Sequence, residues 1–588
     1  MLRRTSFVLA AALAAALLIP AVGGIPAGAT GTFTFYGSGN GHGLGMSQWG
    51  AYGLAKMGWT HQDILTHFYD GTSVGPRAAL PKTVRIGLTT DRRHIHLAAQ
   101  AGPVRIWLRT GSTRVPVATI PAGQTWVVNT RASDYGIRDA AGALVGGHGW
   151  GGPTRNLELT YAPAGARVFI PEADGIWGTG FAYGRGSIEF NLTSCGDADG
   201  CVERIVARLG LEDYLMGIGE VPASWPMQAL EAQADAARTF AVYDVVHGGI
   251  RSDCNCDLTD GSGDQTYIGY NREAGTAGAR WVKAVDATAG EVITYGGAVI
   301  QAFYAASDGG HSDDVQDVWH GGNPAYAIPW LRAVCDPGEW TAANPWTRWT
   351  KSFDAATLSA RLAPYTGPIG QVSALAGIVR GEGGRIITLT VQGAAGSSVV
   401  TGAELRAALG LSDDRVWINS DRNITGAIRV KYDSLMCAPG LPMSPGLAVA
   451  GGVQQFFATG GIYRNDQRGL TVWLKGALDA EYRSVGAAAG VLGVPLAGVT
   501  TIQPRSAPCV GCVRIGFVGG RIYAKDGVGA HAVWDRVLAA FLAAGGAVGP
   551  LGFPTTRLAV GTDGSEQASF EHGTVTCPAN ATCSVTMT

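Results

Sequence analysis

One stretch of the 588-residue sequence concentrates groups able to do chemistry. In Asn40-Gly41-His42-Gly43-Leu44-Gly45-Met46-Ser47-Gln48-Trp49-Gly50, glycines alternate around a single histidine, and Ser47 and Gln48 add polar groups at a predicted helix start. Glycine lets backbone approach a ligand closely, and a helix start offers free N–H groups. The same pattern also suits a tight turn whose histidine satisfies only local hydrogen bonds. A second constellation runs from Glu212-Asp213-Tyr214-Leu215 through Glu220-Val221-Pro222 and Trp225-Pro226 to Gln233, Arg238 and Thr239. Glu220 sits among Gly217, Ile218, Gly219, Val221 and Pro222, with few charges beside it. Apolar surroundings disfavour the carboxylate and raise its pKa towards the working range of a general acid. An exposed loop carboxylate or a helix cap is the alternative. The third element, Phe303-Tyr304-Ala305-Ala306-Ser307-Asp308-Gly309-Gly310-His311, reads as a strand entering a polar glycine turn, a common way to present side chains to a cleft. No strand–turn–helix nucleophile elbow, H-E-x-x-H, P-loop or dinucleotide fingerprint is evident.

Regular elements must position these groups. Residues 47–57 are predicted to form a helix. A second helix begins at Thr60, where Asp63 imitates the partner of a capping box and Gly71 suits the stop. From Lys82 to about Ile205, alternation and Gly/Pro punctuation predict antiparallel strands, among them 83–88, 104–108 and 187–190. Pro226 then opens a helix with Leu230, Ala234, Ala237 and Ala241 along one face. Residues 284–304 return to strand character, a mixed stretch continues to about Val430, and residues 439–445 read as a linker.

Composition narrows the function classes. Charges nearly cancel, 44 Lys+Arg against 46 Asp+Glu, which argues against a nucleic-acid binder relying on a basic field. A 46% hydrophobic fraction is ample for a core, and 87 glycines without a Gly-X-Y period predict many tight turns. Arg3 and Arg4, an apolar run over 7–19 and small residues ending at Ala29 match a secretory signal. No later stretch holds 18 apolar residues in a row, so no further membrane span is expected. Ten cysteines fit an oxidising compartment and are read mainly as disulfides, with local pairing plausible for Cys195/Cys201, Cys509/Cys512 and Cys577/Cys583; connectivity stays open.

The tail repeats itself. Val491-Leu492-Gly493-Val494-Pro495 is echoed by Pro550-Leu551-Gly552-Phe553-Pro554, and Phe457 through Tyr463 by Phe517 through Tyr523, with a third partial copy at 570–575. Such units bury their faces against neighbours, and an exported array of this kind more often binds than catalyses.

Together, Gly41-His42-Gly43-Leu44-Gly45-Met46-Ser47-Gln48, residues 211–214 with 220–239, Val285-Asp286-Ala287-Thr288 and residues 302–311 resemble the SpoIID/LytB family, the stage II sporulation protein D type of peptidoglycan lytic transglycosylase. The tail resembles LGFP repeats of exported wall proteins. The resemblance implies that Glu220 is the catalytic acid/base, and that His42, Ser47, Gln48, Arg238, Tyr304, Ser307 and His311 line a glycan groove, with no cofactor. It implies cleavage of the bond between N-acetylmuramic acid and N-acetylglucosamine with a 1,6-anhydro product. The partners would be glycan strands and, through the repeats, a wall polymer. A wall-binding protein that recruits or stimulates another hydrolase is the competing function. An amidase would need a metal triad or nucleophile–base pair that the sequence does not offer.

Two departures from the family pattern stand out. The His-Gly motif usually follows a segment like 400–411, but here it comes first, so a circular permutation is inferred. It requires Phe35-Tyr36 to lie near Val416-Trp417-Ile418. Some members also resemble a zinc pattern with two cysteines; Cys256 matches the first, but Asp264 stands where the second would be, so no bound metal is expected. The expected fold class is α+β. A signal peptide (1–29) precedes a catalytic domain (30–438) made of the permuted segment (30–75), a β-rich block (80–205) and a core (206–430). A repeat array (446–588) follows.

Overall fold

The computed structural model describes residues 25–26, 31–131, 134–146, 155–173, 179–193, 202–503 and 509–588. The predicted signal peptide and Cys195/Cys201 lie outside these residues, the signal but for two of its positions. The fold is mixed α+β, with eleven α-helices and several antiparallel sheets among the described residues.

The predicted β-rich block forms two sheets. Seven strands include Thr83–Arg92, Val104–Thr110, Ser187–Thr193 and Val202–Gly210; five more include His94–Gln100, Thr125–Arg131 and Arg167–Ile170. Their inward residues, such as Ile86, Leu97, Val128 and Phe190, belong to one hydrophobic cluster that continues into Leu230, Ala234 and Trp281 of the helices. The block therefore shares its core with the helical part.

The helix Gln48–Lys56 starts at Ser47, whose hydroxyl accepts from the Gly50 N–H. The helix His61–Phe68 is capped by Thr60 and carries the Asp63 capping box, burying Ile64, Leu65 and Phe68. Pro226 precedes the 21-residue helix Met227–His247, which is buried on every face between Ala229 and Val242. A helix enclosed all round lies at the centre of the domain, so its polar residues Glu231, Gln233, Asp235, Arg238 and Thr239 must find partners inside. The strand character expected from residue 284 begins later. Residues 284–287 complete the helix Gly275–Ala287, because Ala284 and Val285 extend the buried stripe of Gly278 and Trp281 at helical spacing. Strands follow at Glu291–Tyr295, Ala298–Val299 and Tyr304–Ala305.

The first long strand, Thr32–Gly37, lies between Trp349–Asp354 and Val416–Ile418 in a three-stranded sheet. Phe35 pairs with Ile418, Tyr36 with Trp417 and Gly37 with Val416, which is the neighbourhood that a permuted order requires. Phe33 and Phe35 are fully buried against Leu358, Leu405 and Val416.

The tail forms three four-stranded sheets, Leu447–Lys475, Thr500–Trp534 and Ala559–Met587 in extent. A proline-to-phenylalanine bridge recurs in each: Pro442 with Phe457, Pro495 with Phe517, and Pro554 with Phe570. Tyr482 and Leu492 of the first unit share a core with Phe517, Ile522 and Ala532 of the second. Residues 439–445, read as a linker, instead run along the first repeat sheet, where Met443 donates its N–H to the Phe456 carbonyl. Phe457 and Ile462 also pack on Ile428 and Tyr432 of the helix Gly426–Ser434. Disulfides join Cys254–Cys256, Cys335–Cys437, Cys509–Cys512 and Cys577–Cys583.

Replacing the buried Phe35 by Ala leaves a cavity under this three-stranded sheet, and such truncations cost about 3–5 kcal/mol. Urea unfolding of Phe35→Ala should show a loss of that size; a loss under about 1 kcal/mol would mean that the first strand contributes little to the fold.

Candidate functional site

Glu220 is held by backbone rather than by its own helix. After the short helix Leu211–Met216 the chain runs beside residues 265–268: Ile218 bridges Tyr267, Gly219 donates to the Thr266 carbonyl, and Ile268 donates to that of Gly217. This pairing aims the Thr266 N–H at Glu220 Oε1, at 2.6 Å. Gln48 Nε2 lies 3.4 Å from Glu220 Oε2 and 3.2 Å from Gln233 Oε1. Burial raises the Glu220 pKa above its ordinary value, against the opposing pull of hydrogen bonds from Thr266, Gln48 and Tyr304.

The His-Gly segment reaches the site through strand pairing. Met46–Ser47 runs parallel to Tyr304–Ala305, Trp49 donates to the Ala306 carbonyl, and Asn40 and Ser307 exchange backbone hydrogen bonds. Gly43 has φ +68°, and a Cβ there would fall 1.9 Å from the Arg385 guanidinium carbon, so only glycine fits. The Tyr304 hydroxyl accepts from Gln265 Nε2 at 2.9 Å, and Gln265 Oε1 in turn accepts from Tyr214 at 2.7 Å.

These groups surround a cavity of about 560 Å³ lined by His42, Gln48, Glu220, Thr266 and Tyr304, with Phe240, Phe303, Trp319 and Arg406 around them. Trp319 stands edge-on to His42 and Phe303, at ring separations of 5.5 and 4.8 Å, and is 44% exposed. His42 Nδ1 accepts from the Leu44 N–H. Burial, reinforced by Arg385 and Arg406, pushes the His42 pKa down to about 4, so its ring is neutral at pH 7.

Four of the residues singled out in the sequence do not line the cavity. The Ser47 and Ser307 hydroxyls are buried beneath it and both donate to Glu339, Ser47 at 2.8 Å to Oε2. Arg238 is wholly buried, donating to both oxygens of Glu212 and, at 2.6 Å, to Asp235 Oδ1. His311 donates to the Ser312 carbonyl and is buried beside Cys335. In return, sequence reasoning passed over Thr266 and Trp319. Thr266 acts first through its backbone N–H, which almost any residue supplies, with its side chain adding to it; a tryptophan two residues before a Gly-Gly pair was the available hint for Trp319.

Cys256 and Asp264 do not fit the zinc pattern. The Cys256 sulfur is bonded to Cys254, and Asp264 takes a bidentate pair from Arg251 at 2.6 and 2.7 Å plus two hydrogen bonds from Thr259.

Residues 202–295, which include Glu220, Gln233, Arg238 and Thr266, match the family model described as Stage II sporulation protein, and residues 492–549 match the LGFP repeat. The chain carries a SpoIID domain and a C-terminal LGFP repeat. Stage II sporulation protein D of Bacillus subtilis is 30% identical over 237 residues, covering 38% of this chain and 65% of the relative. The amidase enhancer of the same organism is 30% identical over 149 residues, covering 25% of this chain and 18% of the relative. An uncharacterized protein of Brachyspira hyodysenteriae is 35% identical over 147 residues, covering 24% and 36%. The chain thus spans less than two thirds of the length of each of these relatives. His42 and Tyr304 lie outside the segment matched to the SpoIID model, and the fold brings them to it.

Because burial lets folded Glu220 keep its proton to a higher pH than the unfolded chain does, stability drains as pH rises from its ordinary value of 4.5 through the raised one. Glu220→Gln removes that loss. Thermal melts should show the variant more stable than wild type at pH 7, with the difference closing as pH falls to 4; a difference that does not change with pH would contradict the raised pKa.

Proposed function

We propose that the SpoIID domain is a lytic transglycosylase that cleaves peptidoglycan glycan strands, in an exported, wall-associated protein whose repeats hold a wall polymer. What carries this reading is the unequal state of the two carboxyl groups at the cavity. Glu220 is lifted by burial and available. The only other carboxylate among the described lining residues is Asp264. Burial pushes Asp264 up too, but hydrogen bonds from Arg251 and Thr259 outweigh it and hold the pKa below its ordinary value. A hydrolytic glycosidase needs two working carboxyls, one acid and one base or nucleophile. A lyase that uses the sugar's own hydroxyl needs one.

Protonated Glu220 gives its proton to the glycosidic oxygen as the bond from C1 of the muramic residue breaks. The resulting carboxylate takes the proton of the C6 hydroxyl, whose oxygen bonds to C1 and closes the 1,6-anhydro ring. Glu220 ends as it began. Gln48 and Tyr304 flank the carboxyl and orient sugar hydroxyls, and neutral His42 serves as a hydrogen-bonding wall rather than a charge. Trp319, Phe303 and Phe240 supply the apolar faces on which a sugar ring packs.

The competing reading, a glycan-binding protein that stimulates another hydrolase, draws on the amidase enhancer among the relatives. Both readings use the repeats alike: a concavity of about 650 Å³ between the first two units brings Arg468, Arg514 and Arg521, against the single carboxylate of Asp535, beside Phe517 and Leu538, a surface suited to an anionic polymer. No helix among the described residues is long and apolar enough to cross a membrane.

Mass spectrometry of purified glycan treated with the protein separates the readings. The expected products end in 1,6-anhydromuramic acid and fall by at least about a hundredfold in Glu220→Gln, the scale of a lost acid/base group. Reducing ends would indicate hydrolysis; binding without cleavage would favour the stimulator. Trp319→Ala should weaken glycan binding by about 1–2 kcal/mol, read as a higher Kd in titration calorimetry, while leaving thermal stability near wild type.

A further inference from the structure

On the face of the Met227–His247 helix turned away from Gln233, three elements bring ligating groups to one point. His61 opens the helix His61–Phe68, Asp235 lies mid-way along the central helix, and Glu291 begins the strand Glu291–Tyr295. One ligand atom from each lies within 4.8 Å of the others. His61 Nε2 is 3.3 Å from Glu291 Oε2 and 3.7 Å from Asp235 Oδ2. Donors at the usual zinc bond lengths around a tetrahedral ion stand about 3.4 Å apart, so the spacing needs little adjustment.

The surroundings match a metal site in three further respects. Asp235 Oδ2 is completely buried and has no hydrogen-bond partner, whereas Oδ1 of the same group takes the Arg238 guanidinium at 2.6 Å. An orphaned carboxylate oxygen directed at an imidazole nitrogen and a second carboxylate is costly unless a cation or a proton completes it. The second nitrogen of His61 is already oriented: Nδ1 lies 3.3 Å from both Gln228 Oε1 and Glu231 Oε2, the acceptors that ligating histidines use for their other N–H. Access remains, since the His61 and Glu291 side chains keep 12% and 21% of their surface exposed, leaving room for a water as fourth ligand. Glu231, Asp235 and Glu291 bring three carboxyl groups here, with Arg238 as the buried cation on Asp235, itself also paired to Glu212, and Lys283 drawing on Glu231.

We propose that His61, Asp235 and Glu291 bind a divalent zinc-class ion that clamps the N-terminal segment to the central helix and its neighbouring strand. One nitrogen and two oxygens select a transition ion over calcium or magnesium. The site is separate from Glu220, because residues 233 and 235 are about 200° apart around the helix. It runs against the sequence expectation that the chain binds no metal, an expectation drawn from Cys256 and Asp264. No ligand of this site comes from the reacting groups, so the ion's role is structural.

The full chain, freed of any affinity tag and stripped with EDTA, should be dialysed against zinc and counted by elemental mass spectrometry, with thermal melts in parallel. Wild type should bind one zinc and melt higher with it. His61→Ala and Glu291→Gln, both at partly exposed positions, should weaken zinc binding at least about tenfold and abolish the zinc-dependent rise in Tm, with the far-UV circular dichroism of wild type. Asp235→Asn should act in the same way, and Glu220→Gln should bind zinc as wild type does. Zinc that binds equally in His61→Ala and Glu291→Gln, or a wild-type Tm indifferent to zinc, would overturn the proposal and leave a proton as the group that completes Asp235.

Discussion

Glu339 is a fully buried carboxyl whose Oε1 accepts from the Ser307 hydroxyl and from Asn344 Nδ2 at 2.8 Å, and whose Oε2 accepts from Ser47. Those donors belong to segments almost 300 residues apart in the chain. A buried carboxyl group left without hydrogen-bond partners is costly, and only a complete set of donors makes its burial tolerable. The requirement therefore fixes the distance between the start of the Gln48–Lys56 helix and Ser307, just beyond the strand Tyr304–Ala305. Gln48, next to Ser47, and Tyr304, three residues before Ser307, are in consequence both delivered to Glu220. Arg385 makes a parallel tie, binding the carbonyls of Asp308 and His311 and the carboxylate of Asp413. Beneath the cavity, then, lies a polar scaffold whose members never touch a ligand but decide where the cavity groups stand.

The cavity also shows how environment separates chemically identical groups. Glu220 and Asp264 are both withdrawn from water, which by itself raises both. Asp264 receives a bidentate guanidinium and two Thr259 bonds, so its charged form prevails; Glu220 receives only neutral donors, so burial prevails. One carboxyl is thereby biased towards keeping its proton and the other towards its anion. Arg251, which does this, is itself outside the cavity.

The repeats are coupled to the domain by packing and by a covalent link near the junction. Phe457 and Ile462 of the first repeat sheet share a cluster with Ile428 and Tyr432, and the Cys335–Cys437 disulfide ties the segment that bridges His311 to the last residues before the array. Each unit then completes the core of the next, as Tyr482 does against Phe517, with rings 4.3 Å apart. A partial unit would expose that face, which is why the third copy, although short in sequence, still forms four strands.

Local periodicity and chemistry sufficed for much of this. Capping at Thr60, the Pro226 start and the alternating strands of the β-rich block each depend on residues near one another in sequence, and the tail motifs recur in the sequence itself, so they could be read directly. Glu220 stood out for the same reason: its apolar neighbours are local. The helix end at Ala287 was misread because its buried stripe begins earlier, at Gly278, and short apolar runs do not declare their period. The permuted order could be inferred, and the pairing of Phe35 with Ile418 is its spatial counterpart. Ser47, Arg238, Ser307 and His311 have the residue types of cavity groups, yet burial and their partners are tertiary properties, and these place them behind the wall. The backbone N–H of Thr266, the orphaned oxygen of Asp235 and the exposed face of Trp319 belong to the same class. Sequence determined which elements form and which carboxyl is a candidate acid, because those follow from neighbours along the chain; only the tertiary structure decided which polar groups face the cavity and which support it, because that depends on contacts between segments hundreds of residues apart.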